Sequence, residues 1–291
     1  MNPPIALSIS RLYHPQTGPA YGMTDIGPVR KENEDNFLID ATLDLLMVAD
    51  GMGGHAAGAM ASALTLTGVH DFLRQAHERL NGQQPDGPLE RPSDDIDPAH
   101  NASYDPDATG SNRRLMAVSL LFDAVDHANQ VVYAHNLAQQ RPEGGMGTTL
   151  TGFWRSALAG EMVFFHVGDS RLYRQRRGQL QQMTLDQTLY QQALEAGAFE
   201  NLPARNLLLQ AVGPAPEVQP QVRSFSVQAG DLLLLCSDGL HGAVPHGDIE
   251  QVLAATTADT LEQSCGQLIT LAKLYGGRDN ITVLLMHCTD A

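Results

Sequence analysis

Four apolar runs of strand length, each tied to an aspartate, limit what this chain can fold into. "LDLLMVAD" ends at Asp50, "EMVFFHVGD" at Asp169 and "GDLLLLCSD" at Asp238, while "RDNITVLLMH" places Asp279 just ahead of its run. Each run is short, rich in Leu or β-branched residues, and bounded by Gly or Asp, which favours buried strands over helices. Helical periodicity runs through 56–80 (Ala61, Leu64, Val69, Phe72, Leu73), 113–139, 188–196 and 258–274, and Gly276 and Gly277 offer the last of these a C-cap. Long helices grouped between clusters of strands predict a layered α/β architecture rather than regular βαβ alternation.

The chain has 291 residues, 43% of them hydrophobic, ample for a large core. At about 150 residues per domain the length suggests two domains, but sandwiches and barrels run longer as one. Residues 81–112, "NGQQPDGPLERPSDDIDPAHNASYDPDATGSN", bury almost nothing and read as a mobile insertion between two helices, not a domain boundary. A partly apolar stretch at 197–218 reads as a flap over a surface. The formal net charge of -15 opposes binding to nucleic acid or to anionic membrane surfaces. Cys236, Cys265 and Cys288 are widely spaced, so neither a disulfide framework nor a CxxC zinc pair follows. The N-terminus lacks a basic start and a long apolar stretch, and no run reaches membrane-spanning length; the expected location is cytoplasmic.

The glycines after Asp50 raise a rival reading. Gly51-Met52-Gly53-Gly54-His55-Ala56 fits G-x-G-x-x-A between a strand and a helix, with Asp71 further on. A pyrophosphate there would sit beside the fixed charge of Asp50, which argues against a dinucleotide site. No Gly-Lys-Ser/Thr is present in either glycine loop, so a P-loop is excluded. A cysteine-based phosphatase needs an arginine where Gly242 and Leu271 follow Cys236 and Cys265. An aspartyl-phosphate enzyme needs an aspartate where Val48 and Cys236 precede the two DG aspartates.

What remains is the carboxylates: Asp50, Asp169, Asp238 and Asp279 at strand ends, with Glu34 and Asp35 in "NED". A single DG is an ordinary turn former; several at strand ends point to convergence. Two carboxylates ~4 Å apart at an effective dielectric of ~20 repel by ~4 kcal/mol, so a convergent cluster needs cations. Oxygen donors alone select hard divalent ions, magnesium or manganese. Gly51 lets its own carbonyl join Asp50 in that task.

Six motifs then stand in order: "GPVRKENEDNF" (27–37), "VADGMGGHAAG" (48–58), "GMGTTL" (145–150), "HVGDSRLYR" (166–174), "LLCSDGL" (234–240) and "GGRDNITVLL" (276–285). Together they resemble the metal-dependent protein phosphatases of type 2C, in the bacterial Ser/Thr branch, over most of residues 21–287. The resemblance implies one α+β domain over 21–291. Its fold would be a four-layer α/β/β/α sandwich of two antiparallel sheets flanked by helices, with a dinuclear metal site in the cleft between the sheets. By position, Asp50 would bridge both Mn2+ or Mg2+ ions. Asp238 and Asp279 would complete one ion's protein ligands, and Glu34 with the Gly51 carbonyl the other's. Asp35 would hold water behind the ligands, Arg30 would bind phosphate, and Asp169 with Asp238 would hold a third, weaker ion.

The implied activity is hydrolysis of phosphoserine and phosphothreonine on proteins by metal-activated water, opposing a bacterial Ser/Thr kinase, in a monomer. A metal-dependent phosphoesterase for small molecules and a phosphoprotein-binding pseudophosphatase are the alternatives. The presence of Arg30, Glu34, Asp50, Asp238 and Asp279 argues against the second. Two positions depart from the eukaryotic pattern. Met52 replaces the histidine proposed there as general acid, with His55 read as a solvent-facing loop residue, and Gly242 replaces an aspartate that supports the third ion. His166 and Cys236 read as packed strand residues, and Thr148 and Thr149 as structural hydrogen-bonders near the cleft.

Overall fold

The computed structural model describes residues 7–54, 56–82, 106–139, 145–156 and 161–289. Strands β1 (Leu12–Tyr13), β2 (Ala20–Asp25), β3 (Asn36–Asp40), β4 (Leu45–Ala49) and β5 (Gly51–Met52) precede helices α1 (Ala56–Gly82) and α2 (Pro106–Ala138). Next come β6 (Gly147–Thr148), β7 (Leu150–Arg155), β8 (Met162–Val167), β9 (Arg171–Arg176), β10 (Gln179–Gln182) and helix α3 (Leu189–Glu195). The chain then forms β11 (Gln221–Phe225), β12 (Leu232–Cys236), α4 (Asp238–His241), α5 (His246–Ala254), α6 (Leu261–Leu274) and β13 (Ile281–His287).

Two antiparallel sheets result, in the orders β1-β2-β13-β12-β9-β10 and β11-β8-β7-β4-β3, with β5 and β6 as a separate pair. The apolar runs are continuous because both faces of each sheet are covered. In β4, Leu45, Met47 and Ala49 pack against α1 and α2, whereas Leu46 and Val48 face the other sheet. In β12, Leu234 and Cys236 pack toward α4, α5 and α6, and Leu233 and Leu235 point inward. This period-two division builds the expected four layers.

Register carries the aspartates to one end of the sandwich. Cys236 at the end of β12 pairs with Val283 early in antiparallel β13, so Asp238 and Asp279 emerge together. β4 and β8 both run antiparallel to β7, which makes them parallel to each other. Val48 pairs with Thr151 and Val167 with Leu150, so Asp50 and Asp169 leave the same edge. Asn36 pairs with Ala49, which puts Glu34 and Asp35 there as well.

Some boundaries differ from the sequence expectation. α1 extends through Gly82 and α2 begins at Pro106, so only 83–105 of the expected insertion at 81–112 can be one, and those residues lie outside the described ones. Residues before 21 also belong to the sandwich: β1 pairs with β2, and Pro19 and Thr17 accept hydrogen bonds from His287 and Thr289. Helix α5 has no counterpart in the sequence expectation, because two buried positions, Ile249 and Leu253, are its whole periodic signal. No helix among the described residues is long and apolar enough to cross a membrane.

Leu235 is fully buried between the sheets. Leu235→Ala is expected to cost about 2–5 kcal/mol, read as a lower urea midpoint with an unchanged slope. A shift under about 0.5 kcal/mol would show that the inter-sheet layer repacks freely.

Candidate metal centre

Where the two sheets end together, a cleft of ≈ 220 Å³ is lined by Arg30, Glu34, Asp50, Gly51, Asp169, Asp238 and Asp279, among others. Each residue expected to touch metal or phosphate is therefore brought to one cavity. Asp35 is not on the lining. It lies beneath, buried, and its Oδ2 accepts hydrogen bonds from Ser237 Oγ and Thr282 Oγ1, both at 2.7 Å.

The supports explain how a loop can place charge this firmly. Asp50 donates its N–H to Thr149 Oγ1 at 2.9 Å, and its carbonyl accepts from Thr149 N–H at 2.9 Å and Thr148 Oγ1 at 2.8 Å. The "GMGTTL" segment thus clamps the Asp50 peptide from both sides. Asn280, which the sequence did not single out, accepts from Glu34 N–H at 2.8 Å and donates Nδ2 to the carbonyls of Ile26 and Glu32, each at 3.0 Å. One side chain next to Asp279 therefore fixes the loop that carries Arg30 and Glu34. The only sequence signal for it was its place in "GGRDN".

Two glycines close the cradle. A Cβ on Gly51 would strike the Gly58 carbonyl and come within 2.6 Å of the Glu34 carbonyl oxygen; one on Gly58 would strike Glu34 Oε2. The first turns of α1 can approach Glu34 and Gly51 only because neither glycine has a side chain.

The acids repel one another and are stripped of water. Asp50 is pushed well above the ordinary carboxylate value by burial first, then by Asp35, Asp238, Asp169 and Asp279. Burial, followed by Asp238 and Asp186, lifts Asp169 to about 7. Asp35 also rises to about 7, by burial against the lowering effect of its two hydroxyl donors. Asp238 is raised by burial and Asp279, partly offset by its contact with Asp50 and by Arg30 and Arg171. The Oδ1 atoms of Asp35 and Asp238 are buried without a hydrogen-bond partner. Arg30 donates from Nη2 to Asp279 Oδ2 at 2.6 Å and from Nε to the Arg278 carbonyl at 3.3 Å.

This donor set fits hard divalent cations: only oxygens converge, two buried oxygens lack partners, and glycine cradles bring backbone close. Among the described residues no group of three or more Asp, Glu, His or Cys is already drawn tightly enough to enclose an ion. Like charges at these distances resist such closure until a cation offsets them.

Beside the cleft, a second cavity of ≈ 450 Å³ shares Asp169 and Asp238 and adds His241 and Gly242. His241 donates Nε2–H to the Asp169 carbonyl at 2.9 Å, and burial pushes its pKa down to about 3, so it holds Asp169 as a neutral ring. Met52 lines the metal cleft, whereas His55 lies outside the described residues. His166 is fully buried between Thr151 Oγ1 and the Leu185 carbonyl, a packed strand residue as expected. Burial lifts the Cys236 thiol to about 12, which removes it from thiolate chemistry. The 197–218 stretch has no regular element, and from it Asn206 and Leu208 reach the cleft.

Gly58→Ala tests the cradle. Alanine favours the helix by about 1 kcal/mol, so any loss must come from the collision with Glu34 and the Gly51 backbone. The variant is expected to need at least tenfold more Mn2+ for half-maximal activity, and an unchanged Mn2+ requirement would show that Glu34 is not held by this contact.

Comparison with known proteins agrees with this geometry. The sequence profile of the protein phosphatase 2C family matches residues 30–271. The serine/threonine phosphatase stp of Listeria innocua is 31% identical over 272 residues, covering 91% of this chain and 93% of the relative. The crystal structure of the Mycobacterium tuberculosis serine/threonine phosphatase PstP/Ppp superposes with a TM-score of 0.71 at 31% identity, covering 93% of this chain and 98% of that one. The PstP catalytic domain in complex with 2 manganese ions gives a TM-score of 0.68 at 32% identity, with the same coverage of 93% and 98%. The chain belongs to the protein phosphatase 2C family, on the side of its bacterial Ser/Thr members.

Proposed function

We propose that this chain removes phosphate from phosphoserine and phosphothreonine of proteins, using divalent ions and a phosphate-binding arginine and no protein nucleophile. The observation that carries the reading is the convergence of Glu34, Asp50, Asp238 and Asp279 with Arg30 in one cleft at the sheet ends. Two Mn2+ or Mg2+ ions held there would supply activated water and offset charge on the phosphoryl group.

Asp50, clamped through both sides of its peptide, would help to hold both ions. Asp238 and Asp279 would hold one, and Glu34 with the Gly51 carbonyl the other. Asp35, held by Ser237 and Thr282, keeps its partnerless Oδ1 available to orient water behind the ligands. Asp169, with Asp238, lines the adjoining cavity, and the two would hold a third, weaker ion. Arg30 carries a permanent positive charge, and its planar fork, now bonded to Asp279, would hold two phosphate oxygens.

In this reading the chain acts as a monomer. A phosphatase of this kind opposes a Ser/Thr kinase. Three free, buried cysteines suit a reducing compartment such as the cytoplasm. The acidic surface disfavours nucleic acid as a substrate.

The test is hydrolysis of a phosphothreonine peptide and of an aryl phosphate by purified protein, with Mn2+ and after exhaustive chelation. Both reactions are expected to require the metal; full turnover in chelator contradicts the reading. Arg30→Ala is expected to lower peptide kcat/KM by about 10²-fold with the bound Mn2+ count unchanged, and Arg30→Lys to recover part of it. Loss of bound Mn2+ in Arg30→Ala would instead make Arg30 a structural partner of Asp279.

A further inference from the structure

The loop before Arg30 and the end of α6 form one unit. Lys273 Nζ bonds Asp25 Oδ2 at 2.5 Å, Arg30 bonds Asp279 at 2.6 Å, and Asn280 Nδ2 bonds the Ile26 carbonyl at 3.0 Å. Gly277 sits so close to Pro28 that a Cβ there would lie 2.5 Å from Pro28 Cδ. These ties immobilise both segments, yet together they present bulky apolar groups to solvent. Leu274 is 77% exposed, Val29 61% and Tyr275 51%. The Tyr275 hydroxyl bonds Asp248 Oδ2 at 2.5 Å, which tethers that side chain. Exposed apolar residues on two segments that meet at Pro28 and Gly277, one of them leading into Arg30 of the cleft, mark an interaction surface rather than idle exposure.

We propose that Val29, Leu274 and Tyr275 form a shelf for the phosphoprotein chain beside its phosphorylated residue, so that substrates with a bulky apolar residue near the phosphate are preferred. The proposal rests on the phosphatase reading above and specifies its substrates. Continuity with the cleft identifies the occupant. Val29 immediately precedes Arg30, and consecutive Cα atoms are only about 3.8 Å apart. An extended peptide advances about 3.3–3.6 Å per residue, so a side chain within a few positions of the phosphorylated residue reaches the shelf. Exposed Lys31 and Arg278 lie on the same two segments, so the shelf also tolerates acidic residues among the apolar ones. A second copy of this chain is the less suitable occupant, because it would cover Arg30 and close the cleft.

The experiment compares phosphothreonine peptides carrying Leu or Phe at successive flanking positions with the same peptides carrying Gly, using an aryl phosphate to read the chemistry alone. With the parent protein, kcat/KM is expected to be about three- to tenfold higher for the apolar peptides at one or two positions, and the difference to lie in KM. In the double variant Val29→Glu/Leu274→Glu the apolar-to-Gly ratio is expected to fall to about one or below. Leu207→Glu/Leu209→Glu, on the exposed part of the 197–218 stretch, is expected to keep the ratio. Equal parental kcat/KM for all peptides, or a ratio lost in the Leu207/Leu209 variant and kept in the Val29/Leu274 variant, overturns the shelf. Absence of Mn2+-dependent aryl phosphate hydrolysis in the parent would instead overturn the phosphatase reading, which separates the two failures.

Discussion

Mutual repulsion among buried carboxylates is the constraint on which this structure turns. Asp35, Asp50, Asp169 and Asp238 are each raised by burial and by other acids, a cost no isolated fold would retain. Every raised acid binds a proton more readily folded than unfolded. For Asp35 and Asp169 the contribution to stability is therefore fully present below the ordinary carboxylate value near 4 and is lost as pH rises through about 7. A divalent cation reverses that loss by favouring the charged forms. The metal requirement of the chemistry and the metal requirement of this corner of the fold have one physical origin.

The sandwich holds that arrangement against its own repulsion. Two sheets with apolar residues on both faces are rigid, and their registers deliver the acids to one edge. Neutral hydrogen-bonders then fix what the strands cannot: Thr148 and Thr149 on Asp50, Asn280 on Glu34, and Ser237 with Thr282 on Asp35. None of these groups carries charge, so they position the acids without removing the need for cations. Arg30 is the cation at the rim, paired with Asp279 and directly following the exposed Val29.

Much of this was legible in the sequence, for identifiable reasons. The four aspartate-tied runs are continuous because both faces of their strands are buried, and that same continuity marks them in the chain. Asp50, Asp169 and Asp238 stood out because each ends an apolar run and is followed by a small residue, Asp279 because it precedes such a run, and Glu34 through its place in "NED". Asn280 did not, since its role depends on a loop about 250 residues away and amides are common in turns. The polar strand β9, "RLYRQR", gave no apolar run because Arg171 and Arg176 find partners in Asp186 and Asp231, which only the fold brings near. α5 was too short to show a period, and the start of α2 was hidden by a sequence rich in Pro, Gly and Ser.

Calorimetric titration of Mn2+ into metal-free protein at pH 6.5, repeated in buffers of different ionisation enthalpy, tests the central claim most directly because it counts ions and protons together. The account predicts two tightly held ions, with net proton release as the raised carboxylates ionise, and a release that declines as the titration is repeated above pH 8. Asp50→Asn should lose at least one of the two ions. Tight binding of two ions with no proton release at pH 6.5, or an Asp50→Asn variant that binds both as the parent does, would contradict it.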